Sequence, residues 1–209
     1  MFDFSKVEDF DHHIELSIPN YNGLIDVVSA VSLEYLDKDS KLIDIGCSSG
    51  RFLNMVAPNT SAELIGCDLV DMKYEKKYSF TMQLGSKVLS IAEDVNVITS
   101  LFTLQFMSRK ERALTLHQIS QHVKKGAIAI IAEKVHLNST RLNTAIFRSH
   151  QRKKMDSFTA VEILEKDHAL SGAMFPRSDK EIEQELSSIG NFDQIWQSYN
   201  FKCWCIYGV

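Results

Sequence analysis

The amino-acid sequence predicts an α/β fold: a doubly wound, mostly parallel sheet of seven strands that finishes in an antiparallel hairpin. Three observations carry this expectation. Apolar runs and amphipathic stretches alternate along most of the 209 residues, as they do when each strand is followed by a helix that covers it. The run Lys41-Leu42-Ile43-Asp44-Ile45 ends in Gly46-Cys47-Ser48-Ser49-Gly50, and Arg51 to Val56 then reads as a helix. Two last apolar runs, 193–199 and 202–208, are separated by a short turn near Asn200, which is a hairpin pattern.

The elements follow in order. After Pro19, apolar side chains at Leu24, Val27, Val28, Val31 and Tyr35, widened by Ile25, Leu33 and Leu36, give a helix before the first strand. Strands read at 41–45, 63–67, 79–84, 95–101 and 127–135. Ser108-Arg109-Lys110-Glu111 is a capping box that opens a helix, and Gly126 closes it after Lys124 and Lys125. Ser178-Asp179-Lys180-Glu181 is a second capping box, whose helix Gly190 closes. The stretch 136–177 breaks the alternation; it is polar and helical in period, an inserted lid or substrate platform at one edge of a single domain spanning 1–209.

Composition narrows the function. Twenty-three Lys and Arg against 27 Asp and Glu leave a net charge of −4, so no overall basic excess exists to hold nucleic acid. Asp3, Glu8, Asp9, Asp11 and Glu15 near the start argue against a signal or transit peptide. No apolar run approaches the ~20 residues of a membrane helix. Four cysteines without a CxxC pair fit reduced thiols in a cytoplasmic protein better than disulfides or a metal site. His12-His13 has no third ligand at metal spacing and reads as a surface pair.

The turn at Gly46 is the chemical centre of the reading. Small residues between a strand and a helix let a ligand approach the backbone and point helix amides at it. The spacing Gly-x-x-x-Gly does not fit the Gly-x-Gly-x-x-Gly of a dinucleotide dehydrogenase. Asp68 ends a second apolar run, 22 residues after Gly46. A carboxylate there accepts hydrogen bonds from both hydroxyls of a ribose. A nucleoside cofactor follows from the pair.

Several stretches together resemble one family. Asp44-Ile45-Gly46-Cys47-Ser48, Ser17-Ile18-Pro19-Asn20-Tyr21, Phe102-Thr103-Leu104-Gln105-Phe106 and Ala132-Glu133-Lys134 are similar to the carboxy-S-adenosyl-L-methionine synthases, within the class I methyltransferases that use S-adenosyl-L-methionine (SAM). The likeness runs from about Phe2 to the end. It implies SAM, carboxy-SAM or S-adenosylhomocysteine as the bound cofactor. It also implies reaction of SAM with prephenate, a place in tRNA wobble-uridine modification, and a cytoplasmic homodimer. Carried over residue by residue, Tyr21 lies against the amino-acid part of the cofactor. Gly46, Cys47, Ser48 and Gly50 line its methionine side, Asp68 with Leu69 binds the ribose, and Ser86, Lys87 and Leu101 border the nucleoside. Three positions depart from the family: Ser86 stands for an acidic residue, Leu101 for an asparagine, and Asp167 for the arginine that holds the transferred carboxylate. Arginine clamps a carboxylate where aspartate repels it. Lys166, His168 and Arg177 are the cations at hand to replace it; without them the chain has kept the fold and lost carboxy-SAM chemistry.

Alternatives stay open at each position. Asp68 is a ribose ligand or a strand-end cap. Tyr21 is a site residue or an aromatic packed on the core. Gln105 faces the sulfonium region or is a solvated polar residue. Cys47 is a small buried hydrophobe or a nucleophile. Asp167, His168 or His12 orients or deprotonates an acceptor, or Asp167 faces solvent. The basic run Arg148, His150, Arg152, Lys153 and Lys154, flanked by Phe147 and Phe158, is a solvated helix spread over more than one face or a weak nucleic-acid patch beside the site. Lys73-Tyr74-Glu75-Lys76-Lys77 reads as a loop or short helix that encloses adenine incompletely. Three functions remain: a carboxy-SAM synthase or offshoot, an ordinary SAM-dependent methyltransferase acting on a small molecule, nucleotide or nucleic acid, and an inactive SAM-binding or partner-binding module.

Overall fold

The computed structural model describes residues 10–208; Asp3, Glu8 and Asp9 lie outside that range. Parallel strands β1 (Lys41–Ile45), β2 (Glu63–Cys67), β3 (Ser79–Thr81), β4 (Val97–Leu101) and β5 (Ile128–His136) join antiparallel β7 (Asn191–Ser198) and β8 (Phe201–Tyr207). They stand in the order β3-β2-β1-β4-β5-β8-β7, with a two-residue strand β6 (Arg177–Ser178) added alongside β5. The central strands are apolar on both faces: Leu42 and Ile43 on β1, Val97 and Ile98 on β4, and Ala129, Ile130 and Ile131 on β5 are at most 1% exposed. Burial of each such Leu or Ile contributes about 2 kcal/mol, which is why continuous rather than alternating runs mark these strands.

Helices cover both faces. They are α1 (Phe10–Ser17), α2 (Tyr21–Glu34), α3 (Arg51–Val56), α4 (Gly85–Ile91), α5 (Arg109–Val123), α6 (Thr140–Lys154), α7 (Ala160–Ser171) and α8 (Asp179–Ser187). The main strands, α2, α3 and the hairpin lie where the sequence reading puts them, to within a few residues. The third strand is shorter than expected, and Gly85 starts α4 instead of continuing an extended run. The 136–177 stretch folds as α6 and α7. Its second helix opens with a full capping box of Thr159 and Glu162 that the sequence reading missed.

One expected capping box is only half made. Ser108 Oγ accepts from Glu111 N at 3.2 Å. The Glu111 carboxylate turns away, because Ser86 Oγ (2.7 Å) and Thr115 Oγ1 (3.3 Å) both donate to it. The Ser178–Glu181 box is complete. Gly126 takes φ +105° just past α5, the left-handed conformation that a residue with a Cβ resists. Gly190 closes α8 by donating its N–H to the Leu186 carbonyl at 3.2 Å, and it is also tightly packed: a Cβ there would fall 2.3 Å from the carbonyl oxygen of Tyr207.

A buried ion network locks α5 to the sheet. Arg112, 4% exposed, donates from Nη1 and Nη2 to the two oxygens of Glu133 at 3.0 and 2.7 Å. Its Nε bonds Glu185 on α8 at 3.1 Å. Glu133, inside β5, is 0% exposed. Removing the guanidinium strands that carboxylate. Arg112→Met is expected to cost about 3–5 kcal/mol, read as a lower urea midpoint. The double variant Arg112→Met/Glu133→Leu is expected to recover much of the loss. Equal midpoints for wild type and the single variant would show the network to be energetically idle.

Candidate functional site

The carboxyl end of β1 opens onto the glycine loop, and β2 grips that loop from the side. The carbonyl of Cys67 accepts from Gly46 N at 2.7 Å and from Cys47 N at 3.2 Å. Asp68, the next residue, reaches back: Ser48 N donates to its Oδ2 at 2.9 Å and Val70 N to its Oδ1 at 3.1 Å. Each oxygen of an ionised carboxylate has two acceptor positions, so two remain for the hydroxyls of a ribose. Tyr21, Gly46, Cys47, Ser48, Gly50 and Asp68 therefore come together, and Leu69 lies beside them, 61% exposed.

The reason for the glycines differs from the expected one. Gly46 (φ +74°) and Gly50 (φ +76°) are both left-handed, and the space a Cβ would need is already taken by the protein. At Gly46 it would fall 2.1 Å from Thr103 Oγ1, and at Gly50 1.9 Å from the Tyr78 hydroxyl. The loop is small so that Thr103 and Tyr78 can pack behind it. The loop leaves Gly46 and Ser48 partly exposed beside the Asp68 carboxylate, while Ser49 is 4% exposed. Met72 Sδ stands 3.0 Å from Ser48 Oγ, and Asp11 of α1 accepts from Ser49 Oγ.

Asp44 lies directly under this loop and was missed as a site residue; the only sign of it was a charge inside an apolar run. It is 3% exposed and accepts from Thr99 Oγ1 at 2.7 Å. Burial, opposed by that hydrogen bond and aided by the charge of Asp68, pushes its carboxyl up to about 7. The same carboxylate is felt by Tyr21, whose hydroxyl burial holds far above its ordinary value. Tyr21 also packs beneath the Arg51 guanidinium, 5.6 Å from its ring. Arg51 in turn pairs with Glu15 and donates to Asn22, tying α1, α2 and α3 together. Cys47 is 6% exposed, and burial raises its thiol too far for a nucleophile at neutral pH.

Other expected residues stand differently. Ser86 and Lys87 begin α4, whose Gly85 packs on Ile45. Ser86 spends its hydroxyl on Glu111, and Lys87 is exposed. Leu101 ends β4 half-buried among core residues. Gln105 is neither solvated nor open toward a ligand. It is 5% exposed, its Oε1 accepts from Lys134 N at 2.8 Å, and its backbone carbonyl accepts from Phe175 N at 2.7 Å. Residues 68–78 form no regular element, as the short Lys73–Lys77 stretch led us to expect.

Asp167 and His168 belong to a second cluster, on α6 and α7. Asp167 accepts from Gln151 Nε2 and stands 3.7 Å from Lys154 Nζ, with its side chain still 32% exposed. His168 is exposed in the last turn of α7. Arg177 pairs with Glu181 at 3.7 Å. The basic run divides across α6: His150 and Lys154 are 3% and 7% exposed, while Arg148, Arg152 and Lys153 point outward. Phe147 is 44% exposed, and Phe158 turns inward. Nor are His12 and His13 alike. His12 is exposed, but His13 is half-buried against Lys166, with its ring edge-on to Phe158 at 5.4 Å.

The comparisons agree with this architecture. The carboxy-S-adenosyl-L-methionine synthase of Colwellia psychrerythraea is 26% identical over 216 aligned positions, which cover 96% of this chain and 88% of that protein. The protein of the same name from Hydrogenovibrio crunogenus is 29% identical, with 96% and 86% covered. Among solved structures, the magnesium protoporphyrin IX methyltransferase from Synechocystis PCC 6803, with S-adenosylhomocysteine bound, superposes with a TM-score of 0.61 at 12% identity, covering 99% of this chain and 97% of that one. The N-methyltransferase NodS from Bradyrhizobium japonicum WM9, also with S-adenosylhomocysteine, gives 0.59 at 12% identity, covering 97% and 92%. No family model matches the chain. The fold is that of the class I SAM-dependent methyltransferases, and the sequence is similar to the carboxy-SAM synthases along nearly its whole length.

The buried Asp44 predicts a specific pH dependence. Its folded value of about 7 lies above the ordinary 3.8, so between these limits the folded state keeps a proton that the unfolded chain has released. The stabilisation is complete below pH 3.8 and is lost as pH rises through 7, a contribution on the order of 4 kcal/mol. Asp44→Asn keeps an acceptor for Thr99 and removes the titration. The stability of wild type relative to this variant is expected to fall between pH 4 and pH 8 in urea unfolding. Parallel curves would mean that Asp44 is ionised in the fold.

Proposed function

We propose that the chain is a transferase that binds SAM on the Gly46–Gly50 loop, with its ribose on Asp68. One observation carries the reading: the 2.9 Å bond from Ser48 N to Asp68 Oδ2, which holds a carboxylate with spare acceptor positions at the mouth of the loop. The surroundings fit the group. The Asp68 carboxylate makes one wall acidic, which suits a ligand whose sulfonium and amino group are both cationic. Leu69 and Val70, exposed beyond Asp68, offer an apolar edge to a base.

Bound SAM supplies a methyl group already activated by its sulfonium. The work left to the protein is orientation and exclusion of water. The strand ends fix the loop, Tyr21 and α1 close one side of it, and α6 with α7 borders the region where a second substrate would enter. The likeness to carboxy-SAM synthases favours SAM and prephenate as the reactants, in the cytoplasm, within tRNA wobble-uridine modification, and with the homodimer that the family implies. The arginine of that family is matched here by Asp167, but the local charge is not reversed. Lys134, Lys154 and Lys166 all feel the Asp167 carboxylate, and cations outnumber it. The missing guanidinium clamp itself favours a second reading, ordinary methyl transfer to another acceptor; for a nucleic-acid acceptor, Arg148, Arg152 and Lys153 are the exposed contacts.

Mass spectrometry of the ligand released from denatured, purified protein separates these readings. Carboxy-SAM is expected for the synthase, and acceptor-dependent release of S-adenosylhomocysteine for a methyltransferase. In calorimetry, SAM is expected to bind, and Asp68→Ala to weaken it by about 1.5–3 kcal/mol, roughly 10- to 150-fold. Absence of any heat with SAM, together with no adenosyl ligand in the released fraction, sinks the proposal.

A further inference from the structure

A cavity of about 340 Å³ opens between α1, α6 and α7, lined by His13, Ser17, Lys154, Phe158, Ile163 and Lys166 among others. The amines of Lys154 and Lys166 line it, and Lys134 is near enough to feel both Lys154 and Asp167. Lys154 is 7% exposed, and Lys134 and Lys166 are half-buried. Among the described residues, three carboxylates lie in or beside the cavity. Asp167 is shared among the three lysines and Gln151. Glu162 spends its carboxylate on the backbone and hydroxyl of Thr159, at 2.8 and 2.7 Å. Glu165 is exposed at the rim.

Lys166 takes the largest consequence. Burial first, and then the charge of Lys154, bring its ammonium down to about 7. Its Nζ donates to Ser17 Oγ at 2.6 Å, and the Ser17 proton is committed to the His13 carbonyl at 2.7 Å. His13 Nε2 meets the same amine. Burial, and then Lys166 itself, hold that imidazole neutral, with a value of about 4, so it can carry a proton only in passing. Behind Ser17, His150 is likewise held neutral, chiefly by burial, and bonds the Ser17 carbonyl at 3.0 Å.

An amine with a substantial free-base fraction at neutral pH, in a cavity with a second cation beside it, is equipped to condense with a carbonyl next to a carboxylate. We propose that Lys166 is a carbonyl-reactive amine that takes a small α-oxo acid, with Lys154 holding the acid's carboxylate. The Nζ lone pair forms a bond to the carbonyl carbon as the C=O π bond breaks, and the oxygen gains a proton. The resulting carbinolamine loses hydroxide with one proton, as water, and leaves C=N. His13 Nε2 receives the nitrogen's proton and returns it to the departing hydroxyl. No electrons are gained or lost overall. The Gly46–Gly50 loop takes no part, so the inference goes beyond the transferase reading and does not depend on it.

Reductive trapping on the full chain tests it. The probes are glyoxylate and, as an uncharged comparator, propionaldehyde, each with sodium cyanoborohydride at pH 7.5, followed by peptide mapping. Glyoxylate is expected to label Lys166 on the order of tenfold faster than the exposed Lys180, since a larger free-amine fraction outweighs lower basicity. Labelling of Lys166 is expected to rise with pH around a midpoint near 7, and to be absent in Lys166→Arg. Lys154→Met is expected to erase the preference for glyoxylate over propionaldehyde. Labelling of Lys166 no faster than Lys180 overturns the proposal, and wild type alone decides this if the variants fail to fold. A Lys154→Met chain that keeps the preference overturns the role given to Lys154.

Discussion

The grip of β2 on the loop after β1 organises the rest of the molecule. Two amides of the loop bond the last carbonyl of β2, and the residue beyond it, Asp68, captures a third amide at Ser48. Parallel pairing of Ile45 with Cys67 sets this up, because it brings both strand ends to the same edge of the sheet. The loop is then pressed from behind by Thr103 and Tyr78, so its glycines are demanded by packing within the protein. What is left partly exposed is Gly46 and Ser48 beside the Asp68 carboxylate, which keeps two spare acceptor positions.

The molecule handles its buried charge in three ways. At Arg112 it uses direct pairing, with two carboxylates around one guanidinium and nearly every donor satisfied. At Asp44 it uses protonation, since a single carboxyl under an apolar sheet edge is less costly neutral than ionised. At Lys134, Lys154 and Lys166 burial shifts the balance toward loss of a proton, and all three feel the Asp167 carboxylate. Incomplete neutralisation of this kind is characteristic of sites rather than scaffolds.

The same cluster explains why Asp167 does not act as a simple charge reversal. Taken alone in the sequence, an aspartate at the position of a carboxylate-binding arginine would repel an acidic substrate. In the fold it is half-buried against Gln151 and Lys154, and Lys134 and Lys166 also feel its charge. Helix α6 makes this possible by dividing its basic residues. His150 packs on Phe201, with ring centroids 5.3 Å apart, and Lys154 follows it inward one turn later, whereas Arg148, Arg152 and Lys153 remain in water.

Hydrophobic period, glycine and acidic spacing, and terminal hairpin chemistry were enough by themselves to determine the sheet, most of its helices and the pairing of Gly46 with Asp68. These are short-range signals, written in which residues tolerate a buried strand or a left-handed turn. Tertiary structure alone decided what depends on distant neighbours. Gln105 became a buried tie to Lys134, Glu111 left its own helix cap for Ser86 and Thr115, and Asp44 became a site residue. His13 met Lys166 across 153 positions of chain. Desolvation and charge–charge coupling depend on three-dimensional proximity, and no local pattern in the chain records which side chains share a cavity.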